Sequence, residues 1–446
     1  MSEALGRRDL LLTAVAVLLT AGLTWAAATI NPFLALAAAI GLVVFVTLGT
    51  DRAGVVCLVV AFATAPMSRG LDGLTGGIGT PTDLFLVLAW LLLLPSLANR
   101  RLGLPTAWTL GIVVLFSFAL LGSAISSTTV QSLASLAQWM FFLAGLPLLI
   151  AWWNPASSRI VALLWAYVGG HMVSTFVGLA EGKDPVTGRY DGLTIHPNGF
   201  GLAGLVSLAI LFYLYQHHRG QGLRLLMAGA ALLSLTSIWF SGSRGALAVA
   251  IALVAMLPLV ERSTLSSIGV FSLGAVVLAS GPVIVSLSGE GSALGRLLGG
   301  GSATVADDER ESAFSGGIER FLDAPLTGSG LVNVELIHNL YVEVAVAAGV
   351  VGLIGYLLVL GTLARPLFGD HPQRRLAWMA WAVVGIAAAL PGLWDRTIWV
   401  PVSLAILPTL LPSADPRRET AQESSPESDE GSTVVGTNRS RPRPAS

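Results

Sequence analysis

The chain has 446 residues, of which 54% are apolar and only 11% charged, with 25 basic and 26 acidic side chains for a net charge of -1. Soluble proteins carry roughly 25% charged residues, so a soluble globule of this size is excluded. A nucleic-acid binder is excluded by the lack of a basic face, and a disordered regulator by the apolar load.

A polytopic membrane protein remains, and the expected fold is all-α: a bundle of transmembrane helices. Apolar runs lie near 10–29, 33–50, 53–67, 83–98, 106–125, 132–151, 160–180, 198–215, 223–241, 245–260, 266–287, 338–363, 376–392 and 398–412. At about 20 residues per span these runs predict 12–14 spans. Helices are the form that satisfies backbone polar groups in lipid at this length. The first run follows Arg7-Arg8 and leads into a second apolar run, so it reads as an uncleaved signal anchor. Run 53–67 is short, and 398–412 is broken by Pro401 and Pro408.

Basic residues set the expected orientation. Alternating spans put 14 of them in loops on the side of the N-terminus and 8 on the other, three of the eight in one long loop. The positive-inside rule then places both termini in the cytoplasm. One lysine, Lys183, stands against 24 arginines, which with the Ala, Gly, Leu and Val load suggests a GC-rich bacterial genome. The expected location is the bacterial inner (cytoplasmic) membrane. Cys57, the single cysteine, lies in an apolar run and reads as a packing residue. No Cys/His cluster has metal-ligand spacing, and neither a metal nor a cofactor is expected.

Two outer segments exceed a turn. One is 181–197; the other, 288–337, forms a large extracytoplasmic loop within a transmembrane domain of residues 1–412. The loop opens with a Gly/Ser-rich stretch, which reads as flexible. It continues into an amphipathic helix with Ala313, Phe314, Ile318, Phe321 and Leu322 near helical spacing, ended by Pro325. Residues 413–446 are rich in Pro, Ser and Glu without apolar periodicity and read as a disordered cytoplasmic tail.

Polar residues gather at the outer ends of the spans in four places. These are Arg189-Tyr190-Asp191 before His196-Pro197-Asn198-Gly199, then Ser241-Gly242-Ser243-Arg244-Gly245, then Arg310 and Arg320 on the loop helix, and finally His338-Asn339 with Tyr341 and Glu343. Arginine presents a planar fork that matches phosphate oxygens. Histidine near its ordinary pKa takes a proton from an attacking hydroxyl. Several arginines and one histidine at one membrane face therefore suit displacement of a phosphorylated leaving group. Plainer roles stand beside this one. His196-Pro197 starts a helix well, Gly242 and Gly245 suit a tight turn, an interfacial arginine often snorkels, and the loop-helix arginines have acidic neighbours. His171 reads as a packed helix residue, and His217, His218 and His371 as cytoplasmic surface.

In order and placement these pieces resemble the O-antigen ligase and O-antigen polymerase superfamily of bacterial membrane glycan transferases. The similar pieces are Arg189 leading to Pro197-Asn198-Gly199, Ser243-Arg244-Gly245-Ala246, Arg310 ahead of Pro325-Leu326-Thr327-Gly328-Ser329-Gly330, and His338-Asn339 with Tyr341 and Glu343 before Gly349 to Leu353. The resemblance covers 181–363, and the family's usual 12 spans are fewer than the 14 runs here. It implies an inverting, metal-independent transfer. The donor is a glycan on undecaprenyl pyrophosphate, and the acceptor is a sugar hydroxyl on another carrier. By position, His338 is the implied base. Arg189, Arg244 and Arg310 are implied pyrophosphate ligands, and Asn339 and Tyr341 shape the site. The implied partners are the lipid-linked donor, the glycan acceptor, the bilayer and polysaccharide assembly proteins, with no nucleic acid. A lipid-linked oligosaccharide flippase or other transporter is the alternative, and a non-catalytic scaffold a third. Transporters place ionisable groups near the midplane, whereas these gather at one surface.

Overall fold

The computed structural model describes residues 49–67, 80–97, 102–185, 187–218, 220–287, 289–299, 303–332, 334 and 337–410. The apolar runs near 10–29 and 33–50, the signal anchor and the tail 413–446 lie almost wholly outside them. All regular structure among the described residues is helical, with no strand among them.

In chain order the helices are α1 (49–64), α2 (Pro81–Leu97), α3 (Thr106–Ile125), α4 (Thr129–Trp153), α5 (Ser157–Glu181), α6 (Pro197–His217), α7 (Gln221–Phe240) and α8 (Arg244–Glu261). They continue as α9 (Thr264–Ala279), α10 (Gly281–Leu287), α11 (Ala293–Leu297), α12 (Ala303–Asp323), α13 (Leu340–Ala364), α14 (Ala377–Ile386) and α15 (Arg396–Val402). Among the described residues, seven helices are long and apolar enough to cross a membrane: α3 to α8 and α13, the last taken on to Phe368. The protein is a membrane-embedded all-α bundle.

Local chemistry fixes where these helices start. Ser243, Ser263, Ser292, Asn339 and Asp395 each accept a backbone N–H at a helix N-terminus. Thr80 and Asp83 cap α2 reciprocally: the Thr80 N–H donates to Asp83 Oδ2 at 2.9 Å, and the Asp83 N–H to Thr80 Oγ1 at 3.4 Å. Sixteen of the 21 residues of α6 are buried, as befits a central helix apolar all round. α3 packs on α13 through glycine. A Cβ at Gly111 would stand 2.7 Å from the Gly355 carbonyl oxygen, so the two backbones touch.

Three expected spans differ. α13 is broken at Gly349 (φ 68°, ψ -177°), and the Pro325–Gly330 segment lodges at the break. The Ser329 N–H donates to the Val346 carbonyl at 2.8 Å, and the Val350 N–H to that of Pro325 at 2.8 Å. Runs 376–392 and 398–412 do not form full-length helices. α14 has ten residues, and α15 passes after seven into a 3₁₀ turn at Ser403–Thr409. Pro391, Pro401 and Pro408 interrupt the ladder. These segments are mostly buried in protein, where irregular backbone at membrane depth is tolerated.

Alternating helices gather the connections at two ends. One end holds 182–196, 241–243, 289–299, α12 and 387–395, tied by Arg189 to Ser241, Arg244 to Asp307, and Arg396 to Asp83. The opposite end holds 154–156, 218–220, 262–263 and 365–376, tied by Arg262 to Phe368 and Arg374 to Val260.

Candidate functional site

The site forms at the first of these ends. Residues 184–189 close on themselves, because the Asp184 N–H donates to the Arg189 carbonyl and the Gly188 N–H to that of Asp184, both at 2.8 Å. This turn drives Arg189 inward until it is 6% exposed. Its Nε donates to the Ser241 carbonyl at 2.5 Å and its Nη2 to Asn198 Oδ1 at 2.6 Å. Both acceptors are neutral.

Gly242 separates this guanidinium from a second one. A Cβ there would lie 2.8 Å from Arg189 Nε and 3.1 Å from Arg296 Cδ, and φ is 64°. Only glycine fits that turn and that gap. Arg296, on α11, is 3% exposed, and its Nε has no hydrogen-bond partner among the described residues. Arg244 opens α8 and grips Asp307 of α12 with both arms of its fork, Nη1 to Oδ2 at 2.8 Å. Arg310 lies one turn further along α12 and is half-buried.

The electrostatics are those of crowded cations. Burial, then the charges of Arg296, Arg310 and Arg244, pull the Arg189 pKa down to about 9, so it is still charged at neutral pH. Burial and then Arg244 also lower Arg296 and Arg310. Asp307 is the carboxylate that offsets Arg244, Arg296 and Arg310.

His338 stands beside this cluster in the left-handed region (φ 57°), which residues other than glycine seldom occupy and which often marks a functional position. Its Nδ1 is buried without a hydrogen-bond partner among the described residues. Burial, then Arg310, lower its pKa, with Glu309 opposing, so the ring is neutral at neutral pH. His196 caps α6, its Nδ1 accepting the Asn198 N–H at 3.1 Å. Burial and then Arg189 and His338 lower its pKa too.

Both histidines line a cavity of about 320 Å³ together with Glu343, Trp394, Asp395 and Arg396. Arg396 is held bidentately by Asp83 at 2.7 and 2.6 Å, and its guanidinium lies 5.8 Å from the Phe142 ring centroid. Phe142 belongs to a π turn, Phe141–Gly145, inside α4.

The six residues expected at the site separate into two groups. His338, Arg189, Arg244 and Arg310 converge. Asn339 and Tyr341 instead fasten backbone. Asn339 Nδ2 donates to the Ala388 carbonyl at 3.2 Å, and Tyr341 Oη to the Val384 carbonyl at 2.7 Å. Glu343 accepts the Gly392 N–H at 3.4 Å. The His-Asn-x-Tyr-x-Glu pattern thus stitches α13 to the segment 384–392, with His338 at its edge. Arg320 donates to the Val332 carbonyl at 2.9 Å and braces the loop. His171 is fully buried with its Nε2 3.0 Å from Ser237 Oγ, a packed residue as expected.

Residue type and spacing alone single out neither Arg296, Arg396 nor Asp395, and they do not show His196 as a cavity wall. The signal for Arg296 was an arginine between small residues and Leu294, Leu297 and Leu298, a setting that buries a side chain. No family model and no curated protein matches this chain.

Proposed function

We propose that the protein transfers or polymerises a polyprenyl-pyrophosphate-linked glycan onto a sugar hydroxyl at the outer membrane face, as the resemblance to O-antigen ligases and polymerases implies. The observation that carries this reading is the convergence of Arg189, Arg244, Arg296 and Arg310 beside a neutral His338. Four cations with one offsetting carboxylate call for an anion, and two adjacent phosphates supply it. The acceptor oxygen attacks the anomeric carbon and forms the new glycosidic bond. The bond from that carbon to the pyrophosphate oxygen breaks, and its electron pair leaves with the lipid pyrophosphate. The hydroxyl proton passes to the His338 imidazole. The arginines stabilise the departing charge without moving, which preorganisation requires. In this reading the site end faces away from the cytoplasm and the chain sits in a bacterial inner membrane with both termini inside.

A transporter is favoured by one observation, the break of α13 at Gly349, since transporters build their sites on interrupted helices. The charged groups, however, collect at one end rather than around that break.

The test is gene replacement in the native host with His338→Ala and Arg244→Ala, with membrane levels of the chain verified. Single repeat units accumulating on the lipid mean a polymerase, and full-length polymer stranded on the lipid means a ligase. A surface polysaccharide identical to wild type in both variants removes the catalytic reading.

A further inference from the structure

The arginine cluster accounts for a leaving group but not for the adjoining 320 Å³ cavity that His338 and His196 line. That volume sits at the lower end of the roughly 300–1,000 Å³ typical of small-ligand sites. Its chemistry is opposite to that of the arginines. Two carboxylates line it: Glu343, fully buried, and Asp395, which burial pushes above the ordinary carboxylate range against the pull of Thr397 and Arg396. The one guanidinium on the wall, Arg396, is already neutralised by the bidentate grip of Asp83. An anionic group entering here meets carboxylates rather than a cation in want of a partner.

His196 and His338 face the cavity with different nitrogens available. Nδ1 of His196 accepts the Asn198 N–H, so it carries no proton, and the neutral ring holds its proton on Nε2. His196 is therefore a fixed donor, while His338 is held by no such bond. The Trp394 indole adds an apolar face against which the C–H side of a pyranose ring packs. A donor, the Asp395 carboxyl, an aromatic plate and an adjacent base suit a compact polyhydroxylated ring.

We propose that this cavity is the acceptor subsite of the transfer, seating an uncharged sugar ring with His196 Nε2–H donating to a ring or hydroxyl oxygen and its reactive hydroxyl turned to His338. This rests on the transfer reading of the same end of the molecule. It separates two halves of the site by charge: a cationic half for the donor's pyrophosphate and a carboxylate-lined half that selects neutral over acidic sugars.

The experiment is saturation-transfer NMR on the full-length protein in detergent, with glucose, galactose, mannose, rhamnose, N-acetylglucosamine and glucuronate as probes, and inorganic pyrophosphate titrated separately. His196→Ser retains a helix cap, because serine ranks with asparagine and aspartate as a cap, and takes away the ring with its Nε2–H, which the short hydroxyl does not replace in reach. Gly199→Leu fills the cavity from the first turn of α6. A Cβ there would meet only Thr194, at 3.5 Å, so the backbone accepts the change. The expected result is saturation transfer to at least one neutral sugar and none to glucuronate, reduced tenfold or more by each variant, with pyrophosphate affinity unchanged in both. Arg244→Ala shows the reverse, weakened pyrophosphate binding and retained sugar binding. Absence of sugar binding in the wild type overturns the subsite. So does sugar binding that both variants leave intact, or a preference for glucuronate. Pyrophosphate that fails to bind the wild type strikes the transfer reading itself, which the sugar signal does not address.

Discussion

Both ends of the bundle are rich in arginine, and they use it in opposite ways. At the end away from the site Arg374, Arg262 and Arg375 each bridge separate segments. Arg374 donates to the carbonyls of Leu367, Gly369 and Val260 at 3.0–3.2 Å, Arg262 to that of Phe368, and Arg375 pairs with Glu261. At the site end the guanidiniums crowd one another instead: Arg189 is 6% exposed and Arg296 3%, and each feels the positive charge of neighbouring arginines. Burying a charge is expensive unless it is paired. Both ends leave buried guanidinium nitrogens without partners among the described residues, Arg375 Nε and Nη1 at the first and Arg296 Nε at the second, but only the second gathers four cations around one carboxylate, Asp307. An arginine count along the sequence does not distinguish glue from binding site; the crowding of the guanidiniums in space does.

The sharpest way to test the contrast is at its chemical centre. His338→Ala is expected to lower transfer by about 10²–10⁴-fold, the usual contribution of a general base, with membrane levels unchanged; a rate within threefold of wild type breaks the assignment. Next, the two ends respond oppositely to loss of an arginine. Arg375→Ala leaves Glu261 without its partner and lowers stability by about 2 kcal/mol, toward the low side for a buried pair because Glu261 is 24% exposed. Transfer per folded molecule is retained. Arg296→Met relieves like-charge crowding and leaves stability unchanged or raised by about 1 kcal/mol, while transfer falls. Thermal denaturation with activity per folded molecule reads both, and a destabilised Arg296→Met abolishes the distinction.

Acid provides a third test. The folded-state pKa values of His338 and His196 lie below the ordinary 6.5. The unfolded chain therefore takes up protons first as pH falls through 6.5, so the stability these groups contribute is full above that value and declines on acidification. Transfer is flat from neutral pH down to 6.5, then falls about tenfold per pH unit once pH is below the lowered pKa of His338; an acid limb starting above pH 7 contradicts the burial of that ring. The smallest effects belong to the stitching residues. Asn339→Ala removes a helix cap and Tyr341→Phe one buried hydrogen bond, each lowering stability by about 1 kcal/mol. Loss of transfer without that destabilisation would give them contact with substrate instead.

Much of the fold is legible in the sequence. Thr106–Ile125 coincides with its apolar run, and α5 to α8 match theirs within three residues at each end, because lipid and protein interior impose the same apolar demand along a whole helix. Where protein alone surrounds the chain, that demand no longer implies regular helix. The segments 376–392 and 398–409 are as apolar as the spans and still break at proline. In the site, His338 and three arginines were legible from residue type and from the ends of the runs. Arg296, Asp395 and Arg396 were not, since their placement depends on contacts 50 to several hundred residues away, such as Arg396 on Asp83. The motif around Asn339 and Tyr341 signalled a special place, and its hydrogen bonds show that the specialty is carpentry around His338.

The Pro325–Gly330 segment at the break of α13 has a mechanical consequence. Its backbone is riveted to a membrane helix by hydrogen bonds at Val346, Ala347 and Val350, whereas the start of α12 is clasped through the ion pair of Asp307, a half-exposed side chain, with Arg244. One end of the segment is a hinge pin and the other an ionic latch sensitive to salt. Displacement of α12 would therefore swing about Ala324 and Pro325, uncovering Arg244 and carrying Arg310 away, while His338, whose chain resumes beyond the pin, stays fixed.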